Sequence, residues 1–294
     1  MLNSILPFIV LILVVVFIHE YGHYYFAKKY GVKVTDFSIG FGKELFGWND
    51  KLGTRWKICW IPLGGYVKFF GDRNVFSQSD QEEIIKKYSE EERKKLFILK
   101  PLYQRSLIVA AGPIANFILA VVIFLFIYMF VGKDFTPAVI NEVQKDSPAE
   151  VAGLMKNDVI LEIDGTEVKS ILDVSKLITL STSDFIDFKV SRYDQDVLLK
   201  VKPNIVETED NLGNKINKRM IGIMVGPYNN KVNHVKLGPA KALYYSLNEV
   251  YFVTISSLKY LGSILTGSGD SSQLGGPIRI AKITGQVAQF GIVP

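Results

Sequence analysis

The sequence predicts an α-helical membrane protein that carries an extramembrane α+β domain. Two long apolar stretches, a 48% share of hydrophobic residues and a mean hydropathy of +0.20 indicate membrane spans joined to a soluble part. The soluble part shows alternating strand and helix patterns. The net charge of +5 is too small to indicate nucleic acid as a partner, and the single cysteine, Cys59, excludes an intrachain disulfide.

The first apolar stretch predicts a transmembrane helix within residues 1–30. No charged side chain precedes His19, and a helix that continues to Ala27 exceeds the roughly 20 residues that a span requires. Lys28 and Lys29 follow at once, which indicates a cytoplasmic end and places the N-terminus outside. A signal peptide is the competing interpretation, but it requires a basic start and a small-residue cleavage site, and the sequence has neither.

His19-Glu20-Tyr21-Gly22-His23 is an H-E-x-x-H motif inside this apolar helix. Positions i and i+4 share one helix face, so the two imidazoles can bind one tetrahedral zinc ion. Glu20 is the candidate general base for a zinc-bound water, whose pKa the metal lowers to about 7. The alternative is a chance match in which the histidines only cap a helix end. Ionisable groups in an apolar helix are costly, so such a cluster is a functional candidate.

Residues 31–105 predict a loop, rich in Lys and Arg near both spans, that lies in the cytoplasm. β-forming residues from Val34 to Ile39, a Gly40-Phe41-Gly42 break and the alternation Arg55-Trp56-Lys57-Ile58 indicate strands and turns. Two uses of these strands remain open. A free strand edge binds an extended substrate, or the strands form a small subdomain on the helix ends. Residues 72–100 predict a charged, solvated helix.

The second span is predicted over residues 106–132, which lack charge and are flanked by Arg105 and Lys133. The segment after Gly132 is therefore expected outside. Asn116 is a polar residue within this apolar run. It either hydrogen-bonds a neighbouring helix or faces a metal cavity and touches the substrate carbonyl.

Residues 133–226 predict the α+β domain, and their order of elements looks like a PDZ domain. Strands are expected over 139–143 and 158–163, a short helix capped by Ser147 and Pro148, a longer helix over 172–180, and a hairpin over 185–201. One more strand is expected within 218–226. Residues 227–294 predict an amphipathic helix over 237–267, whose uncharged part is too short to span, and then a Gly-rich segment.

Taken together, these motifs resemble the site-2 protease family of intramembrane zinc metalloproteases, in its bacterial regulator-of-sigma-E branch. The motif ending the first span is followed in family order by four further segments. They are Phe37-Ser38-Ile39-Gly40-Phe41-Gly42, Ile61-Pro62-Leu63-Gly64-Gly65-Tyr66-Val67-Lys68, Ala111-Gly112-Pro113-Ile114-Ala115-Asn116-Phe117 and Leu274-Gly275-Gly276-Pro277-Ile278, with the PDZ-like segment before the last.

The resemblance implies that His19 and His23 bind zinc and that Glu20 is the catalytic base. It implies that Gly40, Phe41 and Gly42 lie in a membrane-associated β-hairpin that orients substrate, with Asn116 by the active site. It further implies a multi-pass protein of the bacterial inner membrane, embedded in the lipid bilayer. Its substrates would be single-span membrane proteins, such as anti-sigma factors or signal-peptide remnants, and the PDZ-like domain would filter bulky ones.

One part of the resemblance is missing from the sequence. The family takes its third zinc ligand from an aspartate in an L-D-G motif on a later span, and Ile163-Asp164-Gly165 lies instead in the PDZ-like segment, where it suits a turn. The expectation is that a C-terminal fragment carrying the third ligand completes the site. The alternative function is a non-catalytic, membrane-anchored PDZ adaptor or an inactive truncated protease.

Overall fold

The computed structural model describes residues 2–71, 88–181, 183–209, 215–228, 231–267 and 275–289. The chain forms two compact units, one of residues 1–120 and 280–294 and the other of residues 121–279. The predicted charged helix lies outside the described residues over 72–87, and so does the Gly-rich segment over 268–274.

Two long helices are apolar and long enough to cross a membrane, and the described residues contain no third. They are α1 (Leu2–Lys29) and α3 (Leu102–Phe126), the latter continuing as a π-helical segment over Ile127–Val131. Only 11% and 6% of their most apolar windows are buried within the molecule, unlike the core helices of a soluble protein. The short helix α2 (Glu90–Arg93) lies between them and has a capping box from Ser89.

The end of α1 agrees with the sequence, whereas α3 begins earlier than predicted. Gly31, with φ of +68°, follows α1 closely, as expected for a glycine that ends a helix. Arg105 was predicted to precede the second span, but it lies inside α3. The reason is that the Pro101 carbonyl accepts the Arg105 N–H at 3.1 Å, which closes a first helical turn over the charged residue.

The segment between α1 and α2 forms a sheet from β1 (Val34–Asn49) and β2 (Arg55–Phe69), which pair antiparallel. Both strands fold back on themselves. As a result, Asp36–Ile39 lies between two parts of β2, pairing with Arg55–Ile58 on one side and Gly65–Lys68 on the other. In this ladder Gly65–Lys68 is an edge.

Aromatic packing and the partly buried carboxylate of Asp50 fix this sheet to α1. Phe37 stacks on Trp56 with ring centroids 4.1 Å apart, and Tyr24 of α1 meets Trp56 edge-on at 5.1 Å. Asp50 accepts hydrogen bonds from the Tyr24 hydroxyl (2.9 Å), Trp56 Nε1 (3.1 Å) and the Thr54 N–H (2.8 Å). Burial alone would raise the pKa of Asp50, but these donors outweigh it and lower the pKa to about 2. The sheet turn is therefore tied to α1 one residue beyond His23.

The second unit contains the PDZ-like domain. The strands of its main sheet are β4 (Val139–Val143), β5 (Val159–Ile163), β6 (Thr166–Glu167), β7 (Ile186–Arg192), β8 (Gln195–Val201) and β11 (Ile223–Gly226), and its helices are α4 (Pro148–Val151) and α5 (Ile171–Leu180). The sheet has the order β11–β4–β5–β7–β8, with β6 paired to β5, and the core includes Ile140, Ile163 and Phe188. Ser147 caps α4 by accepting the Glu150 N–H, and Pro148 takes its first position, as predicted.

The strand predicted within 218–226 is confirmed as β11, but the segment is divided between two sheets. β10 (Lys215–Met220) pairs with β9 (Asn204–Glu209), whereas β11 pairs with β4. Gly222 separates the two, with φ of +79°, a conformation that glycine adopts at no steric cost. Its carbonyl accepts the Gln144 N–H at 2.8 Å, which redirects the chain toward β4.

The remaining elements of this unit are β3 (Lys133–Asp134), β12 (His234–Val235) and the amphipathic helix α6 (Pro239–Leu265). α6 is not among the candidate spans, in agreement with the sequence. Its Glu249 pairs with Lys176 at 2.6 Å and Lys133 at 3.7 Å. Burial opposes ionisation of Glu249, but the lysines outweigh it and lower its pKa. The last described helix is α7 (Pro277–Gln289).

Candidate metal centre

The helical spacing brings the two motif histidines together on one face of α1. Their Nε2 atoms are 3.2 Å apart, and their ring centroids are 4.8 Å apart. Two nitrogens that each bind zinc at about 2.0–2.1 Å with a tetrahedral angle are separated by about 3.3 Å. His19 and His23 therefore fit two adjacent ligand positions of one zinc ion.

His23 has the tautomer that metal binding requires. Its Nδ1 lies 2.7 Å from the carbonyl oxygen of Ile108 on α3. A carbonyl can only accept, so Nδ1 carries the proton and donates it. In the neutral ring this leaves the lone pair on Nε2, facing His19. Backbone carbonyls are common outer partners of metal-binding histidines.

Asn116 of α3 contacts the other histidine. Its Nδ2 atom lies 3.1 Å from Nδ1 of His19. Its Oδ1 atom is buried and has no hydrogen-bond partner among the described residues. The sequence left open whether Asn116 bonds a neighbouring helix or faces a metal cavity, and its contact is with a candidate ligand on the neighbouring helix.

Two glycines allow α1 and α3 to approach this closely. A Cβ atom added to Gly112 would clash with Nε2 of His23 and would lie 2.8 Å from Nε2 of His19. A Cβ atom added to Gly22 would clash with the Ala111 carbonyl and lie 3.0 Å from Cβ of Ala115. Small residues at such a crossing permit backbone contact between helices. Gly112 thus leaves open the space directly beside the two nitrogens.

Glu20 faces the sheet. A Cβ atom on Gly65 would lie 3.2 Å from Cγ of Glu20 and 2.8 Å from Val16, so a larger residue would push the edge strand away from α1. The backbone of Val67 also lies beside the Glu20 carboxylate. The candidate base is therefore held beside the Gly65–Lys68 edge of the sheet.

Gly40, Phe41 and Gly42 lie in β1 at the part of the hairpin where the pairing is irregular. Gly40 and Gly42 have φ of +85° and +88°, and a Cβ on Gly40 would lie 2.6 Å from the Ile61 carbonyl. Phe41 is 43% exposed and stacks on Tyr66 at 6.1 Å. These three residues pack against Ile61 and Tyr66 of β2, and the Gly40 carbonyl accepts the Ser38 hydroxyl of β1 at 3.0 Å.

A third protein ligand is not found within the described residues, which contain no group of three His, Cys, Asp or Glu side chains able to hold a metal. Asp164 serves a turn, as the sequence predicts. Its Oδ1 accepts the Asp187 N–H at 2.9 Å, and its φ is +50°. His234 is exposed in β12.

Comparison with known proteins decides the family. Residues 7–294 match Peptidase family M50. The chain belongs to peptidase family M50. It is thereby a metalloprotease of the site-2 protease type, as the resemblance of its motifs indicated.

M50 relatives align with almost the entire chain. A protein of Agrobacterium fabrum whose name describes it as a zinc metalloprotease is 40% identical over 98% of this chain and 76% of its own length. Metalloprotease MmpA of Caulobacter vibrioides is 35% identical over 95% of this chain and 71% of its own. The PDZ domain of an SdrC-like protein of Listeria monocytogenes covers 31% of this chain and 88% of its own, at 24% identity and a TM-score of 0.25.

Several residues at this M50 centre escaped the sequence interpretation. The Ile108 carbonyl and the Gly65 and Val67 contacts are backbone features, which side-chain motifs do not reveal. Gly112 stands out in the sequence only as part of the family segment Ala111 to Phe117. The available signal was its position four residues before Asn116, since that spacing places both on one face of α3.

Proposed function

We propose that this M50 protein is an intramembrane zinc endopeptidase that cuts single-span membrane proteins within or beside their spans. One observation carries the proposal. The Nε2 atoms of His19 and His23 are 3.2 Å apart in a helix that is apolar enough to cross a membrane. A metal site in such a helix serves a substrate that also lies in the bilayer.

The roles of the residues follow from their contacts. His19 and His23 hold the zinc, which when bound supplies a Lewis acid and acidifies water. Glu20 accepts the proton of the attacking water and passes it to the leaving amine. The third protein ligand is proposed to come from outside the described residues, on a C-terminal segment.

The substrate is proposed to bind as a strand on the Gly65–Lys68 edge. A helical peptide bond hides its carbonyl in an i→i−4 hydrogen bond, so a span must unwind before it is cut. Pairing with a sheet edge satisfies the backbone groups that unwinding releases, which is essential where water is scarce. Gly65 and the backbone of Val67 lie beside Glu20, so a strand added here would pass the base.

The proposed location is the bacterial inner membrane. Lys28, Lys29 and Arg105 flank the spans on the side of residues 28–105, which favours a cytoplasmic loop with the N-terminus and the PDZ-like domain outside. The PDZ-like domain is then placed to restrict substrates with bulky outer parts.

The test uses the protein, supplied with the C-terminal segment that is proposed to carry the third ligand, reconstituted in liposomes with two substrates that share one transmembrane segment. One substrate has a short outer tail, and the other has a folded outer domain. We expect zinc-dependent cleavage of the short-tailed substrate at a site within or next to its span, and slower cleavage of the bulky one. Mass spectrometry of the products locates the cut.

Two outcomes would contradict the proposal. Cleavage confined to soluble, unfolded segments would indicate a protease that acts outside the bilayer. Peptide binding by the PDZ-like domain, without cleavage of either substrate and without stoichiometric zinc, would favour the membrane-anchored adaptor.

A further inference from the structure

Zinc binding by His19 places a strict requirement on the other nitrogen of its ring. A neutral imidazole carries one proton, and the nitrogen that binds the metal must offer a lone pair. Nε2 of His19 faces Nε2 of His23 at 3.2 Å, so Nε2 is the metal-binding atom. The proton must then lie on Nδ1, which needs an acceptor.

Asn116 is the side chain that meets this nitrogen. The distance from Nδ1 of His19 to the Asn116 amide is 3.1 Å. As assigned, the amide nitrogen faces the ring, but two donors cannot share a hydrogen bond. Amide oxygen and nitrogen differ so little in shape that their assignment follows from the hydrogen-bond network. With the nitrogen toward the ring, the imidazole proton is forced onto Nε2, where it blocks the metal.

We propose that Asn116 is a positioning residue whose amide oxygen accepts the Nδ1 proton of His19 and so fixes the zinc-binding tautomer. Among the described residues Oδ1 has no partner in the assigned orientation, and exchanging the two atoms gives it one. Either orientation leaves one amide atom without a protein partner. The orientation of the Asn116 amide is therefore decided by which ring nitrogen of His19 carries the proton. This inference rests on the proposed zinc site and adds the atom that orients it.

The two histidines then have matching outer partners on the same helix. His23 donates its Nδ1 proton to the Ile108 carbonyl, and His19 donates its own to Asn116, eight residues later and two turns along α3. Both rings are held by α3 so that their Nε2 atoms converge beside Gly112. Helix α3 thus contributes no ligand of its own here but orients both.

Substitutions at Asn116 test whether its side chain acts by accepting a hydrogen bond from His19 or by donating one. Asn116→Asp keeps an acceptor and removes the N–H donor, and carboxylates are common outer partners of zinc-binding histidines. Asn116→Leu keeps the branching at Cγ, places methyl groups where the amide atoms were, and removes both functions. Phe117→Leu, at a 48% exposed neighbour, is the matched control for changes on α3. Helix content by circular dichroism checks that each variant folds in detergent.

The measurements are zinc affinity, by competition with a chromogenic chelator, and the ring tautomer of His19, by ¹⁵N NMR of zinc-loaded protein. We expect Asn116→Leu to weaken zinc binding about 10- to 100-fold, and Asn116→Asp to bind within a few-fold of wild type. In the wild type and in Asn116→Asp, the His19 proton should lie on Nδ1.

Three results would overturn the inference. Equal losses in Asn116→Asp and Asn116→Leu would show that N–H donation is what matters. Unchanged affinity in Asn116→Leu would show that the contact has no role in binding. A proton on Nε2 of zinc-loaded His19 would contradict the tautomer directly. A wild-type protein that binds no zinc when the C-terminal segment with the third ligand is supplied would instead contradict the proposed function, and this inference with it.

Discussion

Replacing Gly112 with alanine is expected to eliminate zinc binding. The added Cβ would clash with Nε2 of His23 and lie 2.8 Å from Nε2 of His19, inside the space that the ion needs. Neither ring can move aside freely, because Ile108 and Asn116 hold their Nδ1 atoms at 2.7 and 3.1 Å. The loss in affinity should exceed the roughly 10- to 100-fold cost of losing an outer partner.

The matched control for this change is Gly262→Ala in α6, where an added Cβ would meet nothing within 4 Å. Alanine also has the higher helix propensity, so this variant should fold and bind zinc as the wild type does. Zinc titration and circular dichroism of both variants check the prediction. A folded Gly112→Ala protein with wild-type zinc affinity would show that the metal does not lie between these two helices.

Replacing Glu20 with glutamine is expected to abolish proteolysis while zinc stays bound. Glutamine has nearly the same shape, so the edge strand with Gly65 beside it should keep its place. It cannot accept a proton at neutral pH, and the loss of a general base costs about 100- to 10,000-fold in rate. Cleavage of the short-tailed substrate and zinc content are measured on the same preparation.

The control for this prediction is Glu142→Gln, at an exposed position of β4. It makes the same chemical change far along the sequence and should leave both readouts unchanged. Substantial cleavage by the Glu20→Gln variant would show that Glu20 is not the general base. Loss of zinc from Glu20→Gln would indicate that the carboxylate is a ligand instead.

The sequence was most informative where one local pattern determines the geometry. The i, i+4 spacing of His19 and His23 dictates a shared helix face, and the structure places their Nε2 atoms 3.2 Å apart. The apolar runs predict α1 and α3 because about 20 consecutive apolar residues form a helix long enough to span a membrane. Ser147 and Pro148 predict the start of α4 because capping acts within one turn.

The features that long-range pairing decides could not be read from the sequence. Folding of β2 onto both sides of Asp36–Ile39 brings Gly65 and Val67 to Glu20, more than 40 positions away along the chain. Strand register depends on such distant partners, and alternation within one strand does not name them. For the same reason, the sequence did not predict that residues 215–226 divide into β10 and β11, which belong to different sheets.

Most of the residues that contact His19 and His23 do not belong to a motif that the sequence reveals. Gly112 acts through the side chain it lacks, and Ile108 acts through its carbonyl. Asn116 was singled out because an amide is costly in an apolar helix, but its contact with His19 depends on how α1 and α3 cross. Helix crossing is set by packing of small residues over several turns rather than by a single motif.

Metal content tests the central claim most directly. The protein and its His23→Ala variant, each supplied with the C-terminal segment proposed to carry the third ligand, are purified in detergent side by side, loaded with zinc, freed of excess metal and analysed by atomic emission. Because His23 supplies one of the two convergent nitrogens, we expect about one zinc per wild-type chain and almost none in the variant. Equal zinc in the two proteins, or no zinc in the wild type, would contradict a metal centre built on His19 and His23.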